Sequence, residues 1–236
     1  MLTILKIPMH FCPGDLKDNT LKIKGIFILK TKYTLALICL LFTSLAHAEE
    51  WAFDVYLDKS KIGKHTFTLS NNTLISRAKF NVKVLFINAY QYDHTSKENW
   101  SNDCLTEIDV DTTEDKVNTK VKGKKTSSGF EISDGKSSQT LPACPMTFAY
   151  WNPKILTQAK LLNPQNAEYL DTTFEKLNNE SISVKGKPTE TVHYKLKGAL
   201  KGKNKLNIEL WYNLNNEWVA LKSTTPEGYI ITYKLI

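Results

Sequence analysis

Residues 141–165 read Leu141-Pro-Ala-Cys-Pro-Met-Thr-Phe-Ala-Tyr-Trp-Asn-Pro-Lys-Ile-Leu-Thr-Gln-Ala-Lys-Leu-Leu-Asn-Pro-Gln165. This stretch predicts one short helix over residues 153–163. Asn152 is a favoured N-cap, Pro153 suits the first helical position, and Pro164 cannot continue a helix. The stretch also holds a dense aromatic cluster, which is a candidate for the core or for the wall of a cavity: Phe148, Tyr150 and Trp151.

The chain on either side of this stretch predicts strands. Apolar and polar residues alternate from Trp51 to Asp58 and in later segments, and turn signals such as Asn71-Asn72 and Asp134-Gly135 separate them. Strands with turn signals roughly every 8–12 residues are typical of an antiparallel barrel or sandwich. We therefore predict one all-β domain over residues 49–236, a strongly curved antiparallel sheet or open barrel with the helix packed on it.

One predicted strand, residues 89–100, differs from an ordinary core strand. Period-two spacing places aromatic and polar side chains on the same face: Tyr90, Tyr92, His94, Glu98 and Trp100. Flat apolar area with hydrogen-bonding groups is how a ligand cavity is lined, so these residues are the candidate ligand-facing set. The alternative is a barrel interior that needs polar filling.

The N-terminal part of the chain predicts export. Residues 31–48 combine a charged flank, a short apolar run and the ending Ala46-His47-Ala48, which is the pattern of a signal peptide cut between Ala48 and Glu49. Residues 1–30 precede this complete signal, and we interpret them as an over-extended, disordered start. The mature protein would be periplasmic or secreted, without a permanent membrane span, because the apolar run is shorter than the roughly 20 residues that a spanning helix needs.

Cleavage would change both the charge and the cysteine content. The whole chain has a formal net charge of +7, and its first 48 residues carry six lysines and two aspartates, so +3 remains. That small excess, without a concentrated basic patch, argues against nucleic acid as a partner. Cys104 and Cys144 are the remaining cysteines, and an even pair in an oxidising compartment predicts a structural disulfide.

The sequence contains no motif of a known chemistry, such as G-x-S-x-G, C-x-x-C or H-E-x-x-H. His94 and Glu98 are suitable in type for acid–base work, and with His65 they are suitable in type for zinc. However, no nucleophile or local ligand spacing supports either use. We therefore expect no metal and no cofactor. His193 alternates with apolar residues and is predicted to face solvent.

The chain resembles a family of uncharacterised exported bacterial proteins that carry a domain of unknown function. The resemblance rests on these segments: Phe53-Asp-Val-Tyr-Leu-Asp58, Ile62-Gly-Lys-His65, Tyr90-Gln-Tyr-Asp-His94 with Glu98 and Trp100, Phe148-Ala-Tyr-Trp-Asn-Pro153, Leu161-Leu-Asn-Pro-Gln165, Leu210-Trp-Tyr212 and Trp218-Val-Ala-Leu221. The chain is also distantly similar to periplasmic half-barrel proteins, in which short helices cover a curved sheet over an apolar cavity. The resemblance implies that architecture, which lipoprotein carriers share, and it implies no catalytic residue.

Together these patterns predict an exported envelope protein that binds an apolar or amphipathic small molecule, such as a lipid, in the cavity of the sheet. An enzyme, hydrolase-like or metal-dependent, that uses the face of His94 and Glu98 is the alternative. A structural or assembly factor of the cell envelope without a small ligand is the third. No pattern indicates an oligomeric state.

Overall fold

The computed structural model describes residues 48–84, 87–225 and 227–236. The predicted start and nearly all of the predicted signal peptide lie outside the described residues, as do Cys12 and Cys39. The described chain forms fourteen strands: β1 (Glu49–Leu57), β2 (Ser60–Ser70), β3 (Thr73–Val84), β4 (Ile87–Ser101), β5 (Cys104–Glu114), β6 (Val117–Lys125), β7 (Phe130–Ser133), β8 (Ser138–Leu141), β9 (Lys160–Leu162), β10 (Tyr169–Val184), β11 (Lys187–Leu200), β12 (Lys203–Asn213), β13 (Trp218–Thr224) and β14 (Ile230–Leu235).

All fourteen strands belong to one antiparallel sheet. Its order is β8-β7-β6-β5-β4-β3-β2-β1-β14-β13-β12-β11-β10-β9. Two meanders of sequential hairpins, β1 to β8 and β9 to β14, are joined where β1 pairs with β14. Strands β8 and β9 are the two edges, so the sheet does not close. The predicted all-β fold, an antiparallel sheet in the form of an open barrel, is confirmed.

Two-residue turns join many of the long strands. Both central residues have positive φ in the turns Asn71-Asn72 (49° and 61°) and Lys185-Gly186 (51° and 77°). Positive φ at both positions defines the type I′ turn, whose twist matches that of the flanking strands. The turn that the sequence predicts at Asn71-Asn72 is therefore confirmed.

The core lies between the inner face of the sheet and the connecting segment, residues 142–159, which joins β8 to β9. Phe53 of β1 and Trp218 of β13 are buried there, with ring centroids 4.2 Å apart. The connecting segment adds Met146 and Ile155 to the same cluster. These contacts hold an otherwise irregular segment against the sheet.

The helix predicted over residues 153–163 is wrong in type and length. A single 3₁₀ helix, Pro153–Thr157, occupies the first five positions. Its start agrees with the sequence, because Asn152 Oδ1 accepts a hydrogen bond from the backbone N–H of Lys154 at 3.0 Å. A helix this short is only marginally stable by itself, because the cost of its first turn is offset by few hydrogen bonds, so tertiary contacts decide the structure of the residues beyond it.

The second half of the predicted helix is strand β9. It pairs with β10, so that Leu162 lies opposite Tyr169 and Leu161 opposite Leu170. The backbone N–H of Leu162 donates to the carbonyl of Met146 at 2.8 Å. Both leucines are completely buried, and this burial outweighs their helical tendency.

The longest strand, β10 (Tyr169–Val184), continues through polar residues of the kind that form turns, Asn178 and Asn179. Its register against β11 shifts between Lys176 and Asn179. An irregularity of this kind admits extra residues without ending a strand. Asn178 and Asn179, which resemble a turn in the sequence, therefore lie within strand β10 of the β10–β11 hairpin.

Candidate functional site

Strand β4 carries the face that the sequence singles out. Its inward side chains are buried, whereas most of the intervening ones are exposed: the buried set is Tyr92, His94, Ser96, Glu98 and Trp100. Pairing with β3 on one side and β5 on the other holds this alternation along the strand. Tyr90 lies at the partly exposed end of the face, where its hydroxyl donates to Glu114 at 2.9 Å.

A cavity of about 220 Å³ lies between the inner face of the sheet and the connecting segment. Among the predicted ligand-facing residues, His94 and Glu98 line it. The aromatic cluster of the connecting segment lines it as well: Phe148, Tyr150 and Trp151. The structure thus brings the two sequence-predicted sets together around one space.

The other predicted face residues, Tyr90, Tyr92 and Trp100, are not among the residues that line this cavity. Tyr92 stacks on Phe80, with ring centroids 5.2 Å apart and an interplanar angle of 12°. Trp100 packs edge-to-face on Trp151, with centroids 5.6 Å apart. Their role is to support the lining side chains by packing.

His65 of β2 stands on the cavity wall with two hydrogen-bond partners. Its Nε2 lies 2.7 Å from Ser76 Oγ, and its Nδ1 lies 3.2 Å from Tyr233 Oη. Its ring stacks on Phe67 with centroids 4.1 Å apart. The pairing of β2 with β3 and of β1 with β14 brings these side chains together from distant parts of the chain.

His94 lies beside His65, and the centroids of the two rings are 6.3 Å apart. Its Nδ1 lies 2.8 Å from Thr112 Oγ1 on β5. Among the described residues, Nε2 of His94 has no hydrogen-bond partner. This nitrogen is therefore available to a group inside the cavity.

Burial keeps both imidazoles neutral near pH 7. It lowers the pKa of His65 to about 3, and the neighbouring His94 contributes in the same direction. Burial also lowers the pKa of His94 to about 4, with a smaller opposing effect from Asp93. Removing a cation from water disfavours the charged form, so both histidines contribute polar but uncharged side chains to the wall of the cavity.

Glu98 is a carboxyl group with only 3% of its surface exposed. Its Oε1 accepts from Ser96 at 3.3 Å and its Oε2 accepts from Thr147 at 3.0 Å. Burial raises its pKa to about 7, and the hydrogen bonds from Thr147 and Ser96 oppose that rise. Glu98 therefore gives the cavity a negative charge that is only partly present at neutral pH.

The connecting segment is fixed over the cavity at several points. The predicted disulfide is present and joins Cys144 to Cys104 at the start of β5. The backbone N–H of Leu105 donates to the carbonyl of Pro145 at 3.1 Å. Farther along, the hydroxyl of Tyr212 donates to the carbonyl of Tyr150 at 2.8 Å.

The prediction that His193 faces solvent is wrong. Its Nδ1 lies 2.9 Å from Glu180 Oε1 and its Nε2 lies 3.0 Å from Glu209 Oε2. Its ring stacks on Trp211 with centroids 4.3 Å apart. Residues on both neighbouring strands, β10 and β12, cover it, which strand alternation alone does not indicate.

Sequence reasoning missed several polar members of the site, namely Ser76, Thr112, Thr147 and Tyr233. Ser76 could have been recognised from the sequence. Period-two spacing places it on the inward face of β3 with Ala78 and Phe80, where a polar residue interrupts an apolar face. Within the part of the chain that the structure describes, no three His, Cys, Asp or Glu side chains are placed to hold a metal ion. No helix there is long and apolar enough to cross a membrane.

Comparison with solved structures supports the fold. A β-barrel-like protein of domain of unknown function DUF1849 from Brucella abortus superposes with a TM-score of 0.60 at 12% identity, covering 81% of this chain and 96% of that one. A "putative lipoprotein" from Parabacteroides distasonis gives a TM-score of 0.29 at 10% identity, covering 79% of this chain and 92% of that one. Only the first likeness is strong enough to be used, and at its low identity it concerns the fold alone.

Sequence comparison with curated proteins gives no match. Comparison with protein families gives a match over residues 53–236, which includes β2 to β14, most of β1 and every residue that lines the cavity. The chain therefore belongs to the family DUF6134, a domain of unknown function.

Proposed function

We propose that this protein is an exported envelope protein that binds an apolar or amphipathic small molecule in the cavity beneath the connecting segment. The observation that carries the proposal is the composition of that cavity. Rings of Phe148, Tyr150 and Trp151 form one side, while His65, His94 and Glu98 supply polar groups. Mostly apolar walls with a few converging polar groups are the usual composition of a small-molecule site.

Export is the second part of the proposal. It is supported by the signal-peptide pattern of residues 31–48 and by the disulfide between Cys104 and Cys144, because disulfides persist in oxidising compartments. Mass spectrometry of the envelope fraction should find the chain beginning at Glu49. A mature protein that still carries residues 31–48, or that remains in the cytoplasm, would contradict this part.

Native mass spectrometry of the protein purified from its own envelope tests binding. We expect a small-molecule adduct on the wild type. Ser223→Phe should remove the adduct, because Ser223 lines the cavity and the larger side chain fills it. Ser181→Phe is the matched control, since Ser181 is an exposed strand residue. An adduct that persists in Ser223→Phe would contradict binding in this cavity. A wild type that carries no adduct and co-purifies with another protein would favour an assembly role instead.

One observation favours a second candidate, a hydrolase. Ser76 Oγ and His65 Nε2 are 2.7 Å apart, which is the distance of a nucleophile from its general base. However, a histidine whose pKa lies near 3 accepts a proton from serine poorly at neutral pH. We therefore rank binding first. Covalent labelling of Ser76 by a fluorophosphonate, abolished in His65→Gln, would reverse that order.

A further inference from the structure

The cavity has a marked charge asymmetry. Among the described residues that line it, Glu98 is the only Asp, Glu, Lys or Arg side chain. The ion pairs of the described residues do not include Glu98. A buried carboxylate without a cation is costly, so its charge is stabilised when a cation enters the same space.

Within the part of the chain that the structure describes, the elements packed against Glu98 place no positive charge beside it. Its neighbours across the ladder, Leu74 on β3 and Ile108 on β5, are apolar. The titratable groups that share the cavity are these: His94 on β4, His65 on β2, Tyr150 on the connecting segment and Tyr233 on β14. Burial lowers the pKa of each histidine and raises the pKa of each tyrosine, so all four are neutral near pH 7.

The carboxyl group is also held in a fixed orientation. Ser96 and Thr147 donate to its two oxygens from the strand and from the connecting segment. Both contacts are donations to the carboxyl group, and donors of this kind favour the ionised form. Tyr150 and Trp151 also line this cavity, and aromatic rings of this kind attract cations that lie over their faces.

On these grounds, and on the basis of the function proposed above, we propose that the ligand carries one ammonium group and that Glu98 is its counter-ion. The rest of the ligand is apolar and occupies the aromatic part of the cavity. An anionic head group, such as that of a fatty acid, would bring a second carboxylate beside Glu98 and be disfavoured.

The size of the cavity restricts the apolar part. About 220 Å³ corresponds to roughly seven water molecules, since one water takes about 30 Å³ in the liquid. This lies below the range of roughly 300–1,000 Å³ that is usual for sites of drug-sized ligands. One short alkyl chain or one ring fits such a space, whereas the two chains of a membrane lipid exceed it.

Three probes of the same length separate charge from apolar burial: octylamine, 1-octanol and octanoate. Isothermal titration of the purified protein at pH 7.5 should give a binding constant for octylamine about tenfold or more above that for octanol, because a charged pair adds to the apolar contact. Octanoate should bind more weakly than octanol. Equal binding of octylamine and octanol would overturn the inference and leave cavity binding intact.

Glu98→Gln is the informative variant, because glutamine keeps the size and the acceptor for Thr147 and removes the charge. We expect octylamine binding to fall about tenfold, to the level of octanol, while octanol binding stays within about twofold. Unchanged octylamine binding in a folded Glu98→Gln protein would also overturn the inference. If none of the three probes binds the wild type, the proposed binding function fails and this inference fails with it.

A measurement on the wild type alone tests the same inference if the Glu98→Gln variant does not fold. Octylammonium binds the ionised form of Glu98, whose pKa is about 7 in the free protein. At pH 6 Glu98 is mostly protonated, so octylamine binding should release its proton. At pH 8.5 Glu98 is already ionised, so binding should release none. Titrations at pH 6 in two buffers of different ionisation enthalpy count this proton. Octanol should release none at either pH, and octylamine binding without proton release at pH 6 would count against Glu98 as the counter-ion.

Discussion

Single buried side chains should make the stability of this protein depend on pH. Glu98 has a pKa raised from 4.5 to about 7 in the folded chain. The folded state therefore holds a proton between these values that the unfolded state releases, so the contribution of Glu98 to stability is present below pH 4.5 and is lost as pH rises to about 7. His65 and His94 act in the opposite direction, because their lowered pKa values make stability fall as pH drops below about 6.5.

Glu98→Gln should isolate the first of these effects. The variant cannot ionise, and its histidines are the same as those of the wild type. The difference in unfolding free energy, variant minus wild type, should therefore rise by roughly 3 kcal/mol between pH 4.5 and pH 8, since one pKa unit corresponds to 1.36 kcal/mol. Urea unfolding of both proteins at several pH values measures it. A difference that is constant with pH would show that Glu98 has an ordinary pKa.

Asn152 illustrates how one side chain positions an element. Its Oδ1 caps the 3₁₀ helix, and its Nδ2 donates to Asp103 Oδ1 at 2.9 Å, in the turn between β4 and β5. Asn152→Ala removes both bonds and should destabilise the protein by about 2 kcal/mol. Asn178→Ala, at an exposed position, should change stability by less than about 0.5 kcal/mol. Equal denaturation midpoints for the two variants would mean that the cap contributes nothing.

At the scale of elements, the disulfide secures the connecting segment to the sheet. Cys104 and Cys144 are 40 residues apart in sequence, and closing a loop of that size restricts the unfolded chain. Replacing both cysteines with serine should cost about 2–5 kcal/mol in guanidinium unfolding. A chain that begins at Glu49, unfolded without reduction, should contain no free thiol. Detecting two free thiols, or finding the doubly substituted protein as stable as the parent, would refute the structural role.

Strand β9 is short, yet its packing predicts a large contribution. Leu162 is 0% exposed, so Leu162→Ala should destabilise the protein by roughly 2–5 kcal/mol through lost burial and a cavity. Leu214, with 66% exposure in the turn after β12, is the matched control. Leu214→Ala should change the unfolding free energy by less than about 0.5 kcal/mol. Similar losses for both leucines would contradict the structure of this edge.

The elements that sequence predicts well are those fixed by local pattern. Alternation along β4 and the Asn71-Asn72 turn are local properties, and both appear in the sequence. The segment after Asn152 starts as a helix but ends in β9. Strand β9 forms by pairing with β10, which follows later in the chain, so the residues of the segment alone do not indicate this pairing. The leucines at 161 and 162 would suit either element, so tertiary contact decides between them.

The site shows the same division. The inward positions of His94 and Glu98 follow from period-two spacing. The contact of His65 with Tyr233 depends on the pairing of β1 with β14, at opposite ends of the domain. A single sequence carries no pattern for such a pairing, so the place of Tyr233 beside His65 emerges only from the fold.

At the scale of the whole molecule, the pairing of β1 with β14 brings the two ends of the domain together. Phe53 lies opposite Leu235, and the backbone N–H of Ile236 donates to the carbonyl of Ala52 at 2.9 Å. A short turn from Ile236 to Glu49 would thus complete one more hairpin. Exposed turns tolerate new chain ends, and Gly202 lies in such a turn, with open space around it.

A circular permutant tests this arrangement. It would join residue 236 to residue 49 through a short Gly-containing turn and begin at Lys203. We expect it to fold with the near-ultraviolet spectrum of the parent and a melting temperature within a few degrees, because every strand keeps its neighbours. A permutant opened within β1, between Phe53 and Val55, is the control and should not fold. An insoluble Lys203 permutant beside a soluble parent would contradict the β1–β14 pairing.

The same pairing has a consequence for synthesis. The ribosome makes β1 first and β14 last, so the earliest strand has one partner, β2, until the final residues emerge. During that interval β1 exposes an open edge beside the apolar residues Phe53 and Val55, and such edges promote aggregation. The completed sheet therefore forms only after the whole domain has been translated, and a chaperone that shields the nascent chain should raise its yield.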